Sequence, residues 1–227
     1  MPSSNFCSMR GILVADPHLA YTRNGAPVCN FTLEVARIYR TQTGERKTDT
    51  ICLPTTAWGR LAEVCATKLV KGINVGVIGH LQLRKLEMVE RFECCAERVM
   101  YTRHPVQEVG AEIVSGVNIC LMRGNLAADA TLGTTATNVP VCTFDMAVNR
   151  FYRTAAGEQR KDTIYLPCSI YGTRASQAME VLKKGVDTDV VGHLQTRHSE
   201  AIERVECVVE RLLYAAKSEE EDVACAS

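Results

Sequence analysis

Apolar and polar residues alternate along Val28-Cys29-Asn30-Phe31-Thr32-Leu33-Glu34-Val35, which sets Cys29, Phe31, Leu33 and Val35 on one side of an extended chain. A period of two predicts a strand with one face buried. Met9–Val14, Ile51–Trp58, Ile73–Leu83 and Phe92–Met100 read as strands too, and turn residues separate several of them at Asn24-Gly25-Ala26-Pro27, Thr43-Gly44 and Lys71-Gly72. One stretch breaks the pattern. Leu61, Ala62, Val64, Cys65 and Leu69 recur at helical spacing, and Lys71-Gly72 supplies the cation and glycine that follow a helix end.

The same sequence of elements occurs twice. Residues 5–101 match residues 118–214 without a gap, with about 45 of 97 positions identical. Met9-Arg10-Gly11 returns as Met122-Arg123-Gly124, Asp49-Thr50-Ile51 as Asp162-Thr163-Ile164, and Gly79-His80-Leu81-Gln82 as Gly192-His193-Leu194-Gln195. A period this long marks a duplicated domain and not a solenoid unit. The order β-β-β-α-β-β in about 100 residues suits a five-stranded barrel of the OB type, its helix lying between the third and fourth strands. The expected fold class is therefore all-β with one short helix per domain, as two tandem OB barrels. The expected divisions are residues 1–104, a linker at 105–117, residues 118–215, and an acidic tail at 216–227 expected to be disordered.

Composition removes several alternatives. The 26 basic and 26 acidic residues cancel, so no general electrostatic argument points to nucleic acid, and such a claim must rest on local clustering. The polar start Met1-Pro2-Ser3-Ser4-Asn5 does not read as a signal peptide, and no apolar run is long enough for a membrane span. A cytoplasmic protein is expected. The 11 cysteines include no CxxC pair and mostly sit inside apolar or alternating runs, which fits buried reduced thiols. No metal or other cofactor is expected. His80 and His193 recur without cysteine or carboxylate at ligand spacing on the strand, so a structural role is expected for them. The recurring acids Asp16/Asp129, Glu45/Glu158, Asp49/Asp162 and Glu97/Glu210 are dispersed, and no catalytic constellation is visible.

Ordered blocks carry a resemblance. Arg10-Gly11, Asp16-Pro17, Tyr21-Thr22-Arg23-Asn24-Gly25, Asn30-Phe31-Thr32-Leu33, Trp58-Gly59-Arg60-Leu61-Ala62-Glu63, Leu69-Val70-Lys71-Gly72 and Gly79-His80-Leu81-Gln82-Leu83-Arg84 together resemble the bacterial single-stranded DNA-binding protein family. The resemblance implies sequence-independent binding of single-stranded DNA in replication, recombination and repair, at the nucleoid and without catalysis. It also implies a homodimer that brings four OB folds together, with replication and repair proteins as further partners. Family aromatics stack on bases while cations follow phosphates. Mapped by position, the aromatics are Tyr39, Trp58, Tyr152, Tyr165 and Tyr171, with Cys52 where the second copy has Tyr165. The cations are Arg10, Arg37, Arg40, Lys47 and Arg84, repeated as Arg123, Arg150, Arg153, Arg160 and Arg197.

Two features depart from the family pattern. The hairpin between strands four and five is cut back, with Leu86 and Ser199 at its usual aromatic position. The acidic run Glu219-Glu220-Glu221-Asp222 is followed by Val223-Ala224-Cys225-Ala226-Ser227 and not by a Pro-Phe tip. The alternative these departures leave open is a primosome-type accessory OB protein that acts mainly through protein contacts.

Overall fold

In the computed structural model, residues 4–41, 44–86, 89–102, 116–154, 157–199 and 202–217 are described. The alternating segment around Phe31 sits inside a longer strand that belongs to a closed barrel. In chain order the first repeat comprises β1 (Asn5–Leu13), β2 (His18–Tyr21), β3 (Pro27–Arg40), β4 (Arg46–Trp58), α1 (Arg60–Lys68), β5 (Asn74–Leu86) and β6 (Val89–Tyr101). Hydrogen-bonded neighbours run β3-β4-β6-β5-β1, and β1 returns to β3, closing five strands into a barrel. Only β4 and β6 run parallel, with Thr55 opposite Cys94. The remaining pairs within this barrel are antiparallel. Inward-facing Met9, Leu13, Leu33, Leu53 and Leu81 fill it.

Helix α1 lies between β4 and β5 and buries Ala62 and Cys65. Its N-cap, Gly59, has φ of 59°, a left-handed backbone that a side chain disfavours. The helix ends where Leu69 N–H donates to the Cys65 carbonyl, after Lys68 in the last turn.

The second repeat comprises β7 (Val117–Leu126), β8 (Thr131–Thr134), β9 (Pro140–Arg153), β10 (Gln159–Tyr171), α2 (Thr173–Val181), β11 (Val186–Ser199) and β12 (Ile202–Lys217), with β7 also pairing with β9. The described residues separate into two compact units, one within residues 5–121 and 192–208, the other within residues 122–191 and 209–217 together with residue 4. Most of the expected linker and nearly all of the expected tail lie outside the described residues.

Two elements extend or add to the strands read from sequence. The alternation stops at Val35, yet β3 and β4 continue as a ribbon to Arg40 and from Arg46, pairing Arg37 with Asp49 and Tyr39 with Lys47. Beyond the barrel neither face of that ribbon is fully buried, so no apolar period marks it. Strand β2 was hidden for the same reason, since none of its four residues is fully buried.

Several recurring residues prove to hold the framework. The Asn5 amide brackets one backbone position, donating to the Leu81 carbonyl at 2.8 Å and accepting from Leu81 N–H at 2.9 Å. Asn118 does the same at Leu194. Asp16 and Asp129 accept the backbone N–H of Lys71 and Lys184, each at 2.7 Å. His80 is buried, with Nδ1 2.8 Å from Glu97 Oε1.

Of the described cysteines, Cys7, Cys29, Cys65, Cys94, Cys120, Cys142, Cys168 and Cys207 are buried and Cys52 is exposed. Burial pushes the Cys65 thiol up to about 12 and raises Cys29 and Cys142. At Cys94 a hydrogen bond with the Cys7 thiol, 3.4 Å away, adds to burial in the same direction. A raised pKa leaves less thiolate at any given pH, and thiolate is the species that reacts. Iodoacetamide at pH 8 should therefore alkylate Cys52 well before Cys29, Cys65, Cys94 or Cys142, as read by peptide mass mapping. Equal rates on the native chain would contradict this packing.

Candidate nucleic-acid interface

Unbroken register along each β-ribbon decides which candidate residues share a face. Side chains alternate along a strand, and β3 pairs with β4 without a bulge from Val28–Trp58 to Arg40–Arg46. On β3 the side of Phe31, Leu33 and Val35 enters the core, and the same side carries Arg37 and Tyr39 once the ribbon leaves the barrel. Directly opposite them on β4 stand Asp49 and Lys47. Trp58 belongs to the other, outward side, with Val28, Asn30, Thr56, Cys52, Ile38 and Arg40. The five candidates on this ribbon therefore divide between its two faces.

On the inner continuation, the Arg37 guanidinium lies 5.2 Å from the centre of the Tyr39 ring, and in the second repeat Arg150 lies 4.8 Å from that of Tyr152. Both distances are within cation–π range. Lys47 lies 3.7 Å from Glu45 and Arg160 lies 3.1 Å from Glu158, exposed pairs that contribute little.

The outward side of the first repeat carries Trp58, which is 46% exposed, and, from Thr56 onward on that side, a groove. Its wall includes Asn30, Thr56, Arg84, Arg91 and Glu93. Arg84 donates to Asn30 Oδ1 at 3.1 Å and to Glu93 Oε2 at 3.3 Å. Glu93, buried, also accepts from Gln82 at 2.6 Å and from Thr56 at 3.2 Å. Arg91 stands directly across the β5–β6 pair from Arg84. Glu93 thus offsets one of two neighbouring cations while fixing the direction of Arg84. Glu93→Gln should raise the net positive charge of the groove, tightening binding to a polyanion, and weaken the network at a cost of about 1–3 kcal/mol. Fluorescence anisotropy and urea unfolding should move in opposite directions. A variant that loses both affinity and stability would contradict the arrangement.

The ribbon of the second repeat has the same two-sided arrangement with different occupants. β9 and β10 pair continuously from Val141–Tyr171 to Arg153–Gln159. The outward side of β10 carries Tyr171, Pro167, Tyr165 and Lys161, and that of β9 carries Asp145, Phe151 and Arg153. Tyr165 is 62% exposed and stands opposite the small Ala147, whereas Cys52 stands opposite Glu34. Arg197 lies 3.6 Å from Glu206, matching Arg84 and Glu93.

Arg10 and Arg123 sit elsewhere, on β1 and β7. Arg10 Nε donates to Asn74 Oδ1 at 2.7 Å. Arg123 is held by Asp187 at 2.5 Å and Asp189 at 3.5 Å, and the hydrogen bond to Asp187 raises its pKa. Leu86 and Ser199 have side chains outside the described residues, but the register of β5 with β6 closes at Leu86–Val89, so that connection is short. Among the described residues no group of three or more His, Cys, Asp and Glu could hold a metal ion. Nor is any helix there long and apolar enough to cross a membrane.

Residue-by-residue mapping passed over Arg91, Arg204, Phe151 and Lys161. Arg91 and Arg204 recur in the two repeats, a signal that was available. Phe151 and Lys161 do not recur, since the first repeat has Ile38 and Thr48 there.

Comparison with known proteins agrees with this architecture. A single-stranded DNA-binding protein of Caldanaerobacter subterraneus subsp. tengcongensis is 49% identical over 74 residues, covering 33% of this chain and 48% of that protein. Single-stranded DNA-binding protein A of Bacillus subtilis is 49% identical over 77 residues, covering 34% and 44%. The matched segments thus span just under half the length of these relatives. The crystal structure of the wild-type single-stranded DNA binding protein from Thermus aquaticus superposes with a TM-score of 0.73 at 23% identity, covering 93% of each chain. A deletion mutant of the same protein gives 0.74, covering 96% of this chain and 99% of the other. The model of the single-strand binding protein family matches residues 5–103 and again residues 117–213, and the chain belongs to that family, carrying its domain twice.

Proposed function

We propose that the chain binds single-stranded DNA without regard to sequence, coating and protecting it during replication, recombination and repair in the cytoplasm at the nucleoid. The observation that carries this reading is the outward barrel face of each repeat. Aromatic side chains, exposed Trp58 in one and exposed Tyr165 with half-buried Tyr171 in the other, share the outward side of the ribbon with Arg40 and Arg153 on a fold of the matching family. Every base has a π-face, so stacking of about 1–3 kcal/mol per base is indifferent to sequence. Arginines along the backbone displace condensed counterions, so affinity falls with salt. The mechanism is equilibrium binding; no bond is made or broken.

With two OB folds in one chain, a homodimer with an isologous interface would present four. Anisotropy of labelled oligo(dT), oligo(dC) and mixed-sequence strands tests the reading. Affinities within about tenfold of one another, with poor competition by duplex, support it; a strong preference for one sequence or for duplex overturns it. Native mass spectrometry reads the dimer. A second reading, an accessory protein acting mainly through protein contacts, is favoured by the short β5–β6 connection, and it predicts no binding to any of these strands.

A further inference from the structure

We infer that Phe151, backed by Lys161, is an additional base-stacking platform that the second repeat possesses and the first lacks; this rests on the DNA-binding reading above. Phe151 is 60% exposed on a strand, an unusual place for a phenyl ring with no hydroxyl to hydrate. It belongs to the outward side of the β9–β10 ribbon, the side of Tyr171 and Tyr165, because the register from Val141 to Arg153 is unbroken. Lys161 stands directly across from it, with Nζ 5.8 Å from the ring centre. Arg153 follows on the same side, two residues further along.

Aromatic rings at Tyr171, Tyr165 and Phe151 thus form one row, and it ends in two cations. Tyr165 and Phe151 stand four register positions apart, about 13 Å at 3.3 Å per residue. A single strand of nucleic acid supplies what such a row lacks, flat π-faces at intervals joined by anionic links. A protein partner would not require the cations to flank the ring. At the corresponding positions the first repeat has Trp58, Cys52 and Ile38, with Thr48 in place of Lys161 and the anionic Glu34 opposite Cys52. The second repeat is not uniformly better endowed, since Asp145 faces Pro167 within its row. Even so, it has three rings to one. The second repeat should therefore hold DNA more tightly, and Phe151 extends its contact toward the ribbon tip.

The test uses the full chain. In Trp58→Phe/Phe151→Trp the introduced indole is the only tryptophan, and oligo(dT) should quench its emission to a saturating end point. Phe151→Ala should bind labelled oligo(dT) at least about fivefold more weakly, with an unchanged slope of log affinity against log salt, because a lost stack releases no counterion. Phe151→Tyr should bind like the unaltered chain. Lys161→Ala should make the salt slope shallower by about one. If the unaltered chain binds while Phe151→Ala binds equally well and the introduced indole is not quenched, the platform is wrong and DNA binding stands. If the unaltered chain fails to bind, both readings fall together.

Discussion

Replacing Tyr165 and Tyr171 together by alanine is expected to weaken binding of oligo(dT) by thirtyfold or more, the largest loss of affinity from any pair of side chains on the outward faces. Each platform contributes about 1–3 kcal/mol per base, so two contribute about 2–6 kcal/mol if their effects add. Tyr165 is 62% exposed and faces Ala147 across the ribbon, so its removal leaves no cavity. The unfolding midpoint of Tyr165→Ala alone should therefore barely move, whereas half-buried Tyr171 contributes to stability as well. Tyr165→Phe/Tyr171→Phe should retain most of the affinity, because the ring and not the hydroxyl does the stacking. Trp58→Ala in the first repeat should cost less, about 1–3 kcal/mol. Titration by anisotropy at one salt concentration checks the order. A double alanine variant with unchanged affinity would show that DNA does not lie on this face of the second repeat.

Gly11→Val and Gly124→Val should each destabilise the fold by about 3 kcal/mol, near the upper end of what overpacking costs. Here β1 folds back onto β3, and β7 onto β9, to close each barrel. A Cβ on Gly11 would sit 2.2 Å from the Glu34 carbonyl oxygen, and one on Gly124 2.3 Å from that of Ala147. Those oxygens belong to the strand that completes the barrel, so relief requires the closing pair to part. Gly133→Ala makes the contrast, since the nearest atom to its added Cβ is Val141 Cγ1 at 4.0 Å; it should be neutral or slightly stabilising. Urea unfolding with an unchanged m-value reads the difference. Midpoints for Gly11→Val and Gly124→Val that match Gly133→Ala would mean the strands do not close as described.

The barrel was legible in the sequence wherever one face of a strand is buried. Cys29, Phe31, Leu33 and Val35 announce β3 because their side is the core, while Arg37 and Tyr39 continue that side into solvent and carry no such mark. The duplication was equally legible, but identity between repeats has two sources. Asn5/Asn118 and Asp16/Asp129 recur because they bond backbone groups that every copy of the fold must satisfy. Trp58 and Tyr171 recur as aromatics on a surface. Recurrence alone cannot tell these apart, and it passes over a side chain found in only one copy, as with Phe151. Nor does it show that Tyr39 and Trp58 occupy opposite faces of one ribbon; that depends on the count of residues along an unbroken register.

The central claim is that single-stranded DNA lies across the outward barrel faces, and Trp58 is the one tryptophan in the chain. Titration of the unaltered protein with oligo(dT) at two salt concentrations, following tryptophan emission, tests it most directly. The expected result is quenching that saturates, with an affinity that falls at the higher salt. Unchanged emission together with no mobility shift at low salt would contradict the claim and leave protein contact as the business of these faces.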